Sequence, residues 1–174
     1  MRRVIAILAA ILLGTSLTLS PVAAPVAAAG PEHGTGGISF DLSFPAGDLC
    51  PFAVRWVEDG TRMQALTFPV QPNGDQMTRY AGPQWSTVTN LDSPNVPSMV
   101  VGGGLRLDWI SHRDGTADVW VDGTVVAGYF PGDAAKGFWV FHGRLHDTVG
   151  TDGWTTTAHS FKGGAVDLCA ALAG

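Results

Sequence analysis

The stretch Leu105–Tyr129 reads LRLDWISHRDGTADVWVDGTVVAGY, and its rhythm decides the fold class. Leu105, Leu107 and Trp109 alternate with Arg106 and Asp108. That period of two puts apolar side chains on one face of a strand and polar ones on the other. Asp122-Gly123 offers the positive φ of a two-residue hairpin turn. With that turn in place, Val121 pairs with Thr124, Trp120 with Val125 and Val119 with Val126. Val119, Val121 and Val126 then point to a core, and Trp120 lies on the opposite face beside Arg106 and Asp118.

The preceding turn, His112-Arg113-Asp114-Gly115, is longer and leaves the register of its two strands open. In one register Asp108 sits opposite Asp118 and Arg106 opposite Trp120, giving two close carboxylates suited to acid/base work or calcium. Shifted by two residues, Arg106 meets Asp118 in a cross-strand ion pair worth under about 1 kcal/mol. The ion pair is the expected arrangement, because like charges directly across a ladder repel. Trp120 has two readings as well. It is either an exposed anchor for a sugar ring or protein partner, or part of a satellite cluster with Val125 and Tyr129, which is the expected place for so large an aromatic. Trp56, Trp85, Trp109, Trp139 and Trp154 are expected to fill the core.

The same alternation extends outward from this stretch. Ile38, Phe40, Leu42 and Phe44 share one face of a strand, and further strands are expected over 52–57, 64–70, 85–91, 105–110, 116–121, 124–129, 138–145 and 154–161. Asp59-Gly60, Asn73-Gly74, Asp114-Gly115 and Asp152-Gly153 supply turns, and 23 glycines with 11 prolines leave little room for long helices. The expected class is all-β, an antiparallel β-sandwich with an open β-barrel as the alternative. Asp167 caps a short helical turn over 168–172.

The chain begins like an export signal. Arg2 and Arg3 precede an apolar run from Val4 to Leu13, and Ala27-Ala28-Ala29 forms a small-residue exit with an earlier alternative at Ala24. Residues 1–29 are therefore expected to be a removable signal peptide, 30–37 a Gly-rich flexible leader carrying His33, and 38–174 a single β-sandwich domain. The only membrane contact this allows is through the uncleaved signal segment, because Gly14 and Pro21 interrupt the run before it could span a bilayer. Loss of Arg2 and Arg3 shifts the net charge from −5 to −7. With the remaining Lys and Arg scattered, that charge argues against nucleic acid.

Cys50 and Cys169 are the only cysteines, one near each end of the expected domain. An even count in an exported chain is the pattern of a disulfide. His142 and His146 stand four apart, a metal-ligand spacing on a helix, but in a strand about 13 Å separates them. They are expected to line a solvent face with Arg144, a bulge at Gly143 being the route to a metal reading. His112 and His159 have no partner visible in sequence. No Gly-x-Ser-x-Gly elbow or glutamate pair marks a hydrolase, and no cofactor motif is present.

The Ala-rich start, Cys50-Pro51-Phe52, Thr87-Val88-Thr89-Asn90-Leu91 and Asp167-Leu168-Cys169-Ala170-Ala171-Leu172 together resemble a group of uncharacterised secreted actinobacterial proteins. The resemblance covers most of the domain and implies export and the disulfide, but no activity. The resulting expectation is a secreted, non-catalytic β-domain that binds an envelope glycan or protein through Trp120, Arg106 and Asp118. The alternative is a small secreted hydrolase acting on polysaccharide or ester substrates.

Overall fold

The computed structural model describes residues 30–174. The export signal assigned to residues 1–29 lies outside them. The described chain forms β1 (Glu32–Thr35), β2 (Phe40–Phe44), β3 (Val54–Asp59), β4 (Gln64–Thr67), β5 (Gln76–Asn90), β6 (Met99–Ser111), β7 (Ala117–Tyr129), β8 (Gly137–Val149), β9 (Thr156–Asp167) and α1 (Leu168–Ala171). It is all-β and antiparallel with a short C-terminal helix, as the alternation requires. The strands join in one sheet, in the order β1-β4-β5-β6-β7-β8-β9, that does not close into a barrel. β3 also pairs with β5, and β2 with β3.

Asp122-Gly123 is not a turn. β7 continues through it without a break in pairing, Asp122 facing Arg144 and Gly123 facing Gly143, so the expected strands over 116–121 and 124–129 are one. Side-chain alternation therefore continues unbroken. Val125 shares a face with Val119 and Val121, while Val126 lies on the other face with Trp120. Both ladder registers considered for the His112 turn are also replaced, because Arg106 faces Asp122, Asp108 faces Trp120 and Asp118 faces Ile110. In place of a free leader, Glu32–Thr35 pairs with β4 as an exposed edge strand.

What Gly123 does instead is let strands touch and bend. Gly82 of β5, Leu105 of β6, Gly123, Gly143 and Gly163 of β9 lie in one register row across five strands. Gly123 and Gly143 hold φ of 129° and 143°, where a Cβ would run into the carbonyl oxygens of Gly104 and Lys162 respectively. Only glycine takes that backbone without strain and lets the neighbouring strand come so close.

At this row the sheet forks. β6 stays paired with β7 only over Leu105–Ser111, so its first half, Met99–Gly104, leaves with the second half of β5. β5 divides at the same place, pairing with β4 as far as Ala81 and with β3 from Trp85. Pro83, which has no N–H to give a ladder, falls in the gap. The second half of β7 and the first half of β8 fold back over the rest of the two strands. Tyr129 is ten residues from Val119, the partner of Asp147, which in a straight strand is about 33 Å. Yet the Tyr129 hydroxyl donates to Asp147 at 2.9 Å.

The folded-back segment is buried on both faces. Tyr129 and Phe141 pack with Leu105, Leu107, Val121, Leu145 and Met63 on one side. Val126, Phe138 and Val140 pack with Val54, Val88, Leu49, Leu168 and Leu172 on the other, with Trp56 tilted against Phe138 at 4.9 Å. Each fully buried side chain of this kind contributes about 1.5–3 kcal/mol. Glu58 sits in the second core with 4% exposure, accepting from Trp56 Nε1 and Ser86 Oγ on one oxygen while the other has no partner. Burial pushes its carboxyl above the usual range, and these hydrogen bonds only partly offset that.

Cys50 and Cys169 form the expected disulfide, joining residues 119 apart. In the chain-entropy account a closed loop of that length removes roughly 4–5 kcal/mol of freedom from the unfolded state. It seats α1 against the second core, where Asp167 caps the helix by accepting from the Ala170 N–H. Of the five tryptophans expected in the core, Trp154 is 73% exposed and Trp85 packs in neither cluster, lying under the Arg62 guanidinium instead.

The glycine row yields a direct test. Gly143→Ala is expected to lower the free energy of urea unfolding by about 2 kcal/mol or more, whereas Gly164→Ala, one residue past the row with open space around it, changes it little. Equal losses from both would contradict the row's role.

Candidate functional site

The outward face made by the first halves of β5, β7 and β9 and the second halves of β6 and β8 collects the polar side chains. Cross-strand pairing arranges them in rows. One row runs Arg79, Asp108, Trp120, His146, Ser160; the next, toward the glycines, runs Arg106, Asp122, Arg144, Lys162. A third contains Ile110, Asp118 and Thr148. Arg106, Asp118 and Trp120, chosen from the sequence, thus share one face, but Arg106 and Asp118 do not touch. Arg106 donates to Asp122 at 2.7 Å, and Asp118 belongs to a separate network.

That network links three hairpins. Asp118 accepts from Thr148 Oγ1 at 2.9 Å and lies 3.0 Å from His146 Nε2 and 3.1 Å from His112 Nε2. The other ring nitrogen of His112 faces Asp75, in the turn before β5, at 3.1 Å. A neutral imidazole has one N–H and cannot donate to two carboxylates at once. Hydrogen bonding to Asp75 first, and to Asp118 second, accordingly holds His112 above its ordinary pKa. Burial works to raise Asp118, but its bonds from His146, Thr148 and His112 outweigh that and keep its carboxyl below the usual range.

His146 also fixes Trp120. Their rings stack with centroids 3.7 Å apart and planes 6° from parallel. Trp120 is 40% exposed, so it is not the buried member of a cluster with Val125 and Tyr129; the continuous strand puts those two on the opposite face. Asp108 is held by Arg79 through two hydrogen bonds of 2.6 and 2.9 Å, which leaves no pair of free carboxylates with Asp118. His142, Arg144 and His146 do lie on one solvent-side face, with His142 against Thr124 and His146 against Asp118. Among the described residues no group of three or more His, Cys, Asp or Glu side chains is placed to hold a metal ion.

A second polar cluster was invisible in the sequence. His159 Nδ1 lies 2.7 Å from Asp147 and 3.1 Å from the Tyr129 hydroxyl, which itself donates to Asp147. Burial first, then the Asp147 carboxylate, push the Tyr129 phenol far above its ordinary pKa, so it remains a neutral donor. The cluster clasps the fold-back. An open depression of about 490 Å³ lies elsewhere, beside the disulfide, with Phe52, Trp139 and Ala170 among its walls and Lys136 and Asp167 also lining it. None of the residues on the Trp120 face lines it.

Compared with family models, curated proteins and solved structures, the chain matches none of them.

The His112 network has a defined pH signature. Because folding raises the His112 pKa above the unfolded value of about 6.5, its stabilisation is complete below that pH and disappears as pH rises through the raised folded value. The melting-temperature difference between wild type and His112→Gln is expected to be larger near about pH 5.5 than near about pH 8.5. A difference independent of pH would contradict a charged His112.

Proposed function

We propose that this protein is an exported binding domain whose partner lies across the outward face bearing Arg106, Asp118 and Trp120. The observation that carries this reading is Trp120. A large aromatic is left at the surface, clamped by the stacked His146 ring and framed by polar groups that are themselves held in place by ion pairs. A pre-oriented indole loses little conformational freedom on binding and offers an apolar plane with a polar edge, the combination found at recognition hot spots.

Export fits the disulfide, which persists in oxidising compartments, and the signal-like start with its small-residue exit at Ala29 or Ala24. The separate pairing of the carboxylates on this face favours binding over catalysis. Asp108 and Asp118 each have their own partners, and no histidine is brought to both. Affinity electrophoresis of the purified protein through a panel of soluble polysaccharides tests the reading. Trp120→Ala is expected to weaken retardation about tenfold with an unchanged circular dichroism spectrum. Full retention of binding in that variant would contradict the reading.

A further inference from the structure

The protein is acidic, yet its cations are not evenly spread. Of the eight Lys and Arg side chains in residues 30–174, four lie on the Trp120 face: Arg79, Arg106, Arg144 and Lys162. Arg79 is consumed by Asp108, and beyond Trp120 the face ends in Asp75, His112 and Asp118. The row beside the glycines differs. Arg106, Arg144 and Lys162 have one carboxylate in their own row, Asp122, which takes Arg106 at 2.7 Å and Arg144 at 2.9 Å from its two oxygens, and Arg106 also lies 3.7 Å from Asp108, which Arg79 already holds. Both guanidiniums remain open to solvent, with side-chain exposures of 50% and 66%, and Lys162 is exposed with no ion pair among the described residues. The row carries a surplus of two positive charges spread over four adjacent strands, a span of about 14 Å.

Resting on the reading above, we infer that the ligand of this face is an anionic polysaccharide of uronate type, its sugar rings stacked against Trp120 and its carboxylates received by Arg106, Arg144 and Lys162. Guanidinium forks match carboxylates in geometry as well as charge. One interstrand step, about 4.8 Å, is close to the length of a pyranose unit, so successive sugars crossing the strands meet successive side chains of the row. The surplus is small. A nucleic acid presents a charge about every 1.7 Å and needs a denser basic surface, whereas one carboxylate per sugar matches two or three well-spaced cations. Asp122 keeps both arginines extended when no ligand is present, and its carboxyl is held below the usual range first by the hydrogen bond from Arg144.

The test compares polygalacturonate with its fully methyl-esterified, neutral form and with poly-glutamate, using the purified full chain and the variants Arg144→Gln, Lys162→Gln, the pair together, and Trp120→Ala. Binding to polygalacturonate is expected to weaken as salt rises, to fall about tenfold in the double variant, and to be weak for the neutral ester and for poly-glutamate. Thermal unfolding of each variant checks that the exposed substitutions leave the fold intact. Equal binding of the neutral ester, lost in Trp120→Ala, would overturn the anionic ligand and keep the binding face. Tighter binding of poly-glutamate would replace a polysaccharide by an acidic peptide and overturn the inference. Binding of none of the three, or binding indifferent to every variant, would overturn both the inference and the face on which it rests.

Discussion

Backbone closeness along the row from Gly82 through Gly123 and Gly143 to Gly163 is the constraint on which the molecule is built. Where no Cβ stands between neighbouring strands, the carbonyls of Gly104 and Lys162 approach positions any other residue would occupy. The long strands can then turn sharply without breaking their ladders. Sheets this long ordinarily relieve their twist by splitting or closing. Here the fork at the glycines replaces closure. One half of β7–β8 folds inward and becomes a two-sided core layer, and the other half keeps an outward face that needs no apolar cover.

The outward polar face is a consequence of that division. Because the apolar residues of β6–β8 are drawn to the inward side, the residues that alternate with them are polar over four successive strands and come into register with one another. Trp120 is the large aromatic in this set, and its neighbours account for it. The His146 ring covers one side of the indole, and His146 is itself held by Asp118, which Thr148 and His112 also engage. A chain of hydrogen bonds beginning at Asp75 thus ends in the orientation of a surface aromatic. Buried polar bridges play the matching role inside, where Asp147 ties Tyr129 and His159 across the fold-back.

How much of this was legible in the sequence varies residue by residue. The alternation of Leu105, Leu107, Val119 and Val121 revealed strands and their inward faces, and the two cysteines revealed the staple. Asp122-Gly123 misled because the same dipeptide serves a two-residue turn and a glycine kink within a continuous strand. What separates the two is Gly143 and Gly163 standing in register with it, which is a property of pairing and not of local sequence. The unbroken apolar runs Val125-Val126-Ala127 and Phe138-Trp139-Val140-Phe141 are the signature of strands buried on both faces. Pro83 and Gly102-Gly103-Gly104 hid the middle of β5 and the start of β6, because both residue types are poor strand formers. Arg106, Asp118 and Trp120, read from the sequence, do share one face, but His112 and Asp75 come from different hairpins and no spacing announces their meeting.

The fold-back itself is the claim everything else inherits, and proton-proton contacts in solution report it most directly. Nuclear Overhauser spectra of the folded protein should show cross-peaks between the rings of Tyr129 and His159, whose centroids lie 5.0 Å apart, together with the ordinary ladder contacts between Val125 and Phe141. Ladder contacts present without any Tyr129–His159 cross-peak would mean that β7 and β8 run on straight, and the account of both cores and of the outward face would be contradicted.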